Sequence, residues 1–249
     1  MKRIGVLTSG GDTPGMNAAI RAVFKTGVDI DLQVMGIYHG YKGLIEGRVG
    51  YLAHADVESK MHKGGTILRT ARSEEFKTEG GIEKAISVLR AYEIEGLIVI
   101  GGDGSFKGAD ALGKRGIPVI GIPGTIDNDM GYTDFTIGFD TAVNNVMNEI
   151  YKIRDTMRAH DRVGVIEVMG RRCGDIALWA GVAGAADIIL VPERPLSWAD
   201  AANRLAANKL RGQLTSIVMI AEGAGKAEDF CEYVRKYTDV EIKATVLGY

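Results

Sequence analysis

The sequence is poor in the features that define several large protein classes. It has two cysteines, Cys173 and Cys231, far apart in the chain. They are too few and too distant for a zinc cluster and unsuited to a disulfide framework, which points to a reducing compartment. It has only five prolines and no Pro/Ser-rich linker, low-complexity tract or internal repeat, so domains are expected to pack directly on one another. No apolar run approaches the ~18 residues of a membrane span, and the amino terminus enters a strand pattern at once instead of a charged-then-apolar leader. Thirty basic against 32 acidic residues leave a net charge of −2. There is thus no global electrostatic ground for nucleic acid or an anionic membrane, and the runs Lys84–Arg90 and Arg204–Arg211 read as solvated helix faces. An anionic ligand must be caught locally. These absences describe a cytoplasmic protein of one large or two modest domains.

Glycine is abundant, with 34 residues in 249. Short β-branched runs recur at 4–7, 34–37, 97–100, 119–122, 163–168, 188–191 and 217–220, each nearly all apolar, as buried parallel strands are. Between several of them lie helical patterns. The clearest is Val143, Val146, Met147, Ile150, Ile153 and Met157, whose three-and-four spacing lays one apolar stripe along a helix. The alternation predicts an α/β protein. With a boundary near Gly138, it divides into residues 1–138 and 139–249, two Rossmann-like three-layer α/β/α domains with mostly parallel sheets.

Four glycine loops follow predicted strands: Gly10 to Asn17, Gly101 to Ser105, Pro123 to Asp129, and Met169 to Asp175. At the carboxyl ends of parallel strands, bare backbone and helix amino termini present N–H donors to anions, so loops of this kind suggest a phosphate ligand. Each alone is also compatible with glycine serving only a tight turn. Gly102, Gly104 and Gly108 form a weak dinucleotide-like spacing, but the next strand ends at Pro123 without the acid that would hold a ribose, and no Walker-type Gly-Lys-Ser/Thr occurs. Asp103, Asp127 and Asp129 would repel phosphate unless a divalent cation or a proton transfer gives them a role, a combination suited to phosphoryl transfer. They also suit capping and turns. Arg72 and Arg171 supply the positive charge that a transferring phosphoryl group requires.

In this order, Thr8-Ser9-Gly10-Gly11-Asp12-Thr13-Pro14-Gly15-Met16-Asn17-Ala18-Ala19, Gly101 to Ser105, Pro123 to Asp129 and Glu167-Val168-Met169-Gly170-Arg171 resemble the bacterial ATP-dependent 6-phosphofructokinases over essentially the whole chain. The resemblance implies a first domain binding ATP and Mg2+ and a second binding fructose 6-phosphate, in a homotetramer. It implies a nucleotide site of Gly11, Tyr41, Arg72, Ser73, Gly102, Asp103, Gly104, Ser105 and Gly108, with Asp103 and Asp129 near the metal. Asp127 matches the catalytic base, with Thr125, Arg72 and Arg171 beside the reaction. Thr125, Asp127, Met169, Gly170, Arg171 and Glu222 match sugar-phosphate contacts, and Arg162 matches one supplied by a neighbouring subunit. Gly104 and Gly124 stand where pyrophosphate-using relatives carry aspartate and lysine, and a side chain at Gly104 would fill space that a nucleotide's α-phosphate needs, so the donor is expected to be ATP.

The chain also departs from the family pattern. Lys243, counted with Tyr249 among the substrate-binding candidates, replaces an arginine at the 6-phosphate, keeping the charge but losing the fork. The text ends at Tyr249, before a family segment that contributes a histidine and an arginine to the sugar phosphate, so low sugar turnover by this chain is one expectation. Arg21, Lys25, Arg154, Ala185, Asp187 and Arg211 resemble the pocket for ADP or phosphoenolpyruvate between subunits. His54, Ala55, Gln213 and Leu214 replace residues of well-regulated members, so allosteric control is expected to be weak. The alternative reading is a degenerate chain that binds nucleotide with little sugar turnover. NAD kinases and lipid kinases share a Gly-Gly-Asp-Gly loop but lack the Thr125 to Asp129 string joined to Met169-Gly170-Arg171.

Overall fold

The computed structural model describes residues 2–248. They form two compact units. The first is the chain up to Thr125 together with Met130–Gly138, and the second is Ile126–Asp129 together with the chain from Phe139. Within the range 1–138 expected for the first domain, the tetrapeptide Ile126–Asp129 therefore belongs to the other unit, where Ile126 packs on a core cluster.

The first unit is built on a six-stranded sheet of β1 (Arg3–Thr8), β2 (Gln33–Ile37), β3 (Val49–Tyr51), β4 (Gly96–Gly101), β5 (Val119–Thr125) and β6 (Ile137–Gly138), in the order β3-β2-β1-β4-β5-β6. All neighbours are parallel except β2 and β3. Its helices are α1 (Met16–Asp29), α2 (Gly40–Ile45), α3 (His54–Val57), α4 (Glu79–Ala91) and α5 (Asp103–Gly113). Alternate side chains of a strand face opposite ways. Ile4 and Val6 accordingly join Ile20, Val23 and Phe24 of α1 in one core, whereas Leu7, Leu97 and Val99 join Leu44, Ile86, Leu89 and Leu112 of α2, α4 and α5 in another. Both faces being covered explains why the strands read as unbroken apolar runs. The order reverses between β1 and β4, the crevice where open α/β sheets bind ligands.

The second unit carries a four-stranded parallel sheet, β10 (Ile242–Val246), β7 (Val163–Val168), β9 (Ser216–Ala221) and β8 (Ile188–Leu190), in that order. Val163 and Val165 face Ala201, Leu205, Phe230 and Val234 of α8 (Trp198–Leu210) and α9 (Ala227–Tyr237). Ile166 and Val168 face Val146 and Ile150 of α6 (Phe139–Ala159) and Ile176 and Ala180 of α7 (Asp175–Ala183). The stripe on α6 is buried at Val143, Val146, Ile150 and Met157, with Met147 and Ile153 partly covered. Glu167 interrupts the apolar β7 for a reason. Its buried carboxylate accepts from Ala227 N at 2.8 Å and from Lys226 Nζ at 2.9 Å, placing negative charge at the amino end of α9.

Three strands escape the sequence pattern. β3 and β6 are three and two residues long, too short to show a period. β10 lies at a sheet edge with Ile242 buried and Lys243 exposed, and so never reads as an apolar run. Among the described residues no helix is long and apolar enough to cross a membrane.

Candidate active site

In the first unit the loops after β1 and β4 meet. Ser9 N donates to Ile100 O at 3.0 Å, and a side chain at Gly101 would collide with the Ser9 carbonyl and the Ser105 side chain. Only a residue without Cβ lets these two backbones approach so closely. Gly11 and Gly104 are exposed, and a Cβ at either would meet nothing within 4 Å. Their peptide groups are open to a ligand. Gly102 opens α5, with Asp103 and Gly104 in its first turn and Thr125 of β5 beside it, so amide donors and the positive end of the helix dipole collect at one edge of the sheet. Asp103 is half exposed and pairs with Lys107 one turn on, at 2.7 Å.

The stretch from Lys63 to Thr70 has no regular structure and is held by side chains. Buried Asn17 donates through Nδ2 to Lys63 O and Gly65 O, both at 3.0 Å, and accepts from Ile67 N at 2.9 Å. Asp12 accepts from Thr66 N at 2.9 Å, Thr8 Oγ1 donates to Arg69 O at 2.9 Å, and Thr70 Oγ1 donates to Gly10 O at 2.7 Å. At about 0.5 to 1.5 kcal/mol net for each such bond, the set fixes this segment firmly to the Gly10–Gly11 loop. Arg72 follows it, exposed to solvent where it can meet an anion. The quoted motif contains Asp12 and Asn17, but their task depends on a segment some fifty residues on, which no local pattern reveals.

Two expected nucleotide contacts are engaged inside the first unit. Tyr41 is buried, its ring stacked on Phe76 at 4.0 Å with Gly108 against it, and its hydroxyl donates to Ser105 O at 2.6 Å. Burial drives its pKa well above the ordinary phenol value. It therefore shapes α5 from beneath, because its ring face and hydroxyl are already used inside the unit. Ser73 accepts from Phe76 N at 3.2 Å, capping the 3-10 turn Glu75–Lys77.

In the second unit the tetrapeptide Ile126–Asp129 and the loop after β7 come together. Arg171 Nε stands 3.9 Å from Asp127 Oδ2, and its Nη1 3.7 Å from Asp129 Oδ2. Asp127 is buried while the Arg171 side chain is 61% exposed. At these separations the pairing is looser than the 2.7 to 2.9 Å of a tight charged hydrogen bond, and for an exposed arginine it contributes about 1 kcal/mol or less. The guanidinium can turn to a third anion at little cost. Its backbone is fixed more firmly. Arg171 has φ 55, Gly170 has φ 135 with the Cys173 carbonyl where a side chain would stand, and Arg171 N donates to Glu222 Oε1 at 2.8 Å. Glu222 N in turn donates to Val168 O at 2.9 Å. Asp127, Met169, Gly170, Arg171 and Glu222 are thus brought into one neighbourhood. Burial pushes the Cys173 thiol up to about 11, so it stays protonated and is no nucleophile at neutral pH.

Other expected residues lie apart. Arg162 pairs with Glu241 at 2.6 Å just ahead of β10, and Lys243 is exposed on β10 itself. Tyr249 lies outside the described residues. Three of the effector candidates, Lys25, Arg154 and Asp187, are engaged within their own units. In the first, Lys25 pairs with Glu58 at 3.2 Å and lies 3.3 Å from His54 Nδ1, and Arg21 is half-buried on α1. In the second, Arg154 donates to the Gly184 and Ala185 carbonyls at 2.6 and 2.7 Å. Asp187 accepts from Gln213 Nε2 and from Ile217 N, both at 2.7 Å, and Arg211 ends α8 in solvent.

The sequence matches the phosphofructokinase family over residues 3–249. It is 53% identical to an ATP-dependent 6-phosphofructokinase of Clostridium botulinum, covering all of this chain and 78% of that protein. Among solved structures it resembles phosphofructokinase from Saccharomyces cerevisiae with a TM-score of 0.91 at 36% identity, covering 100% of this chain and 38% of that one. The T-state enzyme of Pichia pastoris gives 0.93 at 35%, covering 99% of this chain and 29% of that one. With likeness in sequence and in fold along its whole length, the chain belongs to the phosphofructokinase family.

Proposed function

We propose that this chain transfers the γ-phosphoryl group of ATP to the C1 hydroxyl of fructose 6-phosphate, giving fructose 1,6-bisphosphate. The reading rests on one turn that gathers Asp127, Asp129 and Arg171, in a chain 53% identical over all its residues to ATP-dependent 6-phosphofructokinase. Asp127 accepts the hydroxyl proton as the oxygen attacks phosphorus. Arg171, Arg72 and the Gly11 amide neutralise charge growing on the phosphoryl oxygens. The amides around Gly102 to Ser105 hold the nucleotide phosphates, while Thr125, Met169, Gly170 and Glu222 orient the sugar.

Among the described residues no three acidic, histidine or cysteine side chains are grouped to cage a metal. Mg2+ takes one or two carboxylates and completes its octahedron with phosphate oxygens and water. Asp103 and Asp129 are the carboxylates we assign to it, and when bound with ATP it neutralises and orients the phosphates. The open space at Gly104 favours ATP over pyrophosphate as donor.

A homotetramer is supported by the apolar surface of α7, where Leu178, Trp179 and Val182 are all exposed. Light scattering on the purified chain tests it. Weak effector control is supported by the occupation of Arg154, Asp187 and Lys25 inside their own units. Hyperbolic saturation by fructose 6-phosphate is expected, and sigmoidal kinetics relieved by ADP would contradict it.

The central test is a coupled kinase assay with ATP, Mg2+ and fructose 6-phosphate, run beside Asp127→Ala. Turnover that disappears in the variant, with ATP binding retained, is the expected result. ATP binding without sugar turnover by the parent chain would overturn the reading.

A further inference from the structure

Asn128 stands between the two carboxylates of the candidate site with φ 54, in the left-handed region. Asparagine tolerates that conformation better than most residues, and a side-chain anchor then decides whether it is kept. Asn128 Nδ2 donates to Asp175 Oδ2 at 2.8 Å. Asp175 is the first residue of α7, where the helix amino terminus favours its negative charge. The loop leading into it is itself tied down, with Cys173 N donating to Gly170 O at 2.8 Å and Gly174 N to Glu193 Oε1 at 2.7 Å. That loop also carries Arg171. One loop therefore holds three successive residues, Arg171 facing Asp127 and Asp129 while Asp175 draws Asn128 the other way.

We propose that Asp175 is a positioning residue for phosphoryl transfer, acting through Asn128 to keep Asp127 and Asp129 turned toward Arg171; the proposal rests on the phosphotransferase reading above. Without the acceptor, Asn128 loses its side-chain anchor on α7, and the peptide planes on both sides of it can turn. The two flanking carboxylates move with them. A displacement of about 1 Å in a reacting group lowers a rate by about 10²-fold.

The test compares Asp175→Asn with Asp175→Ala in the full chain. Both remove the charge from the amino end of α7, but only the alanine variant removes the acceptor for Asn128. Asp175→Ala is expected to lower kcat by about 10- to 100-fold, with KM for ATP and fructose 6-phosphate changed less than about threefold, and Asp175→Asn to stay within about threefold of the parent. Equal losses in the two variants, or a loss confined to KM, would overturn the proposal. Asn128→Gly, which permits the left-handed backbone but lacks the side chain that holds it, guards against misfolding of the alanine variant. Its expected loss matches that of Asp175→Ala and does not add to it when the two are combined, whereas full additivity counts against the proposal. Hydrogen exchange of the Asn128 side-chain amide by NMR gives a readout independent of turnover. Protection in the parent and in Asp175→Asn that is lost in Asp175→Ala is expected, and a fast-exchanging amide in the parent would overturn the anchor itself. A parent that phosphorylates no sugar fails at the phosphotransferase reading, before either variant is compared.

Discussion

The two glycine-bearing loops at Gly101–Ser105 and Met169–Asp175 read alike in sequence and are built in opposite ways. In the first, side chains are missing where a ligand would lie. Gly11 and Gly104 face open space, and the recognising groups are peptide N–H donors at the start of α5. In the second, glycine serves mainly to let the chain bend. Gly170 and Gly174 make room for the Cys173 carbonyl and for Val191 and Glu193, and the functional groups are charged side chains, Arg171 and the carboxylates it faces. A backbone site suits a ligand recognised by its charge and shape, such as a polyphosphate. A side-chain site suits chemistry that needs a proton acceptor and a cation at fixed places. On the proposed function, the difference separates holding the nucleotide from carrying out the reaction.

Substitutions at the two loops should therefore fail in different ways, and the largest effect is expected in the side-chain loop. Arg171→Ala should lower kcat by about 10²- to 10³-fold, as loss of a transition-state charge partner does, with little change in the affinity for ATP measured by titration calorimetry. A comparable loss of ATP affinity would erase the distinction between the loops. Next is Gly104→Asp, which puts a carboxylate into the open space beside the phosphate-binding amides. Its KM for ATP should rise about tenfold or more through like-charge repulsion, while KM for fructose 6-phosphate stays put in steady-state kinetics. Gly101→Ala sharpens the comparison from the folding side. The collision with the Ser9 carbonyl should destabilise the first unit by about 1 to 3 kcal/mol, read as a lower denaturant midpoint.

The smallest effect is one of pH. The Cys173 and Cys231 thiols are both raised to about 11, chiefly by burial. Between pH 9 and 11 the unfolded chain loses thiol protons that the folded chain keeps, so stability falls as pH rises through that window. Alkylation of Cys173 at pH 8 should run about 100-fold slower than that of a free thiol, and rapid labelling would show the loop to be open.

Much of this arrangement was legible before any coordinates. The seven apolar runs and the α6 stripe depend on neighbours a few residues away, and such periods follow from strands and helices covered on known faces. The Thr125 to Asp129 string and the Glu167 to Arg171 segment carried the resemblance to the family. What escaped was pairing over distance. Asn17 meets Lys63 to Ile67, Glu167 meets Ala227, and Asn128 meets Asp175, separated by 47 residues. Tyr41 matches the family's nucleotide site and reads equally as a core aromatic, and its burial against Phe76 and Ser105 favours the core reading. The edge strand β10 was hidden because only one of its faces is well covered.

Local sequence determined which stretches become strands, helices and bare loops, since backbone preference and apolar period act within a few residues. It also determined the chemical repertoire, three aspartates and two arginines among glycines. The tertiary structure alone decided which of these groups meet. Strand order sets which loops share an edge, and hydrogen bonds between distant side chains then fix how each loop turns. For that reason Arg171 finds both Asp127 and Asp129, and Asn128 in its left-handed turn finds Asp175, only when the chain is folded.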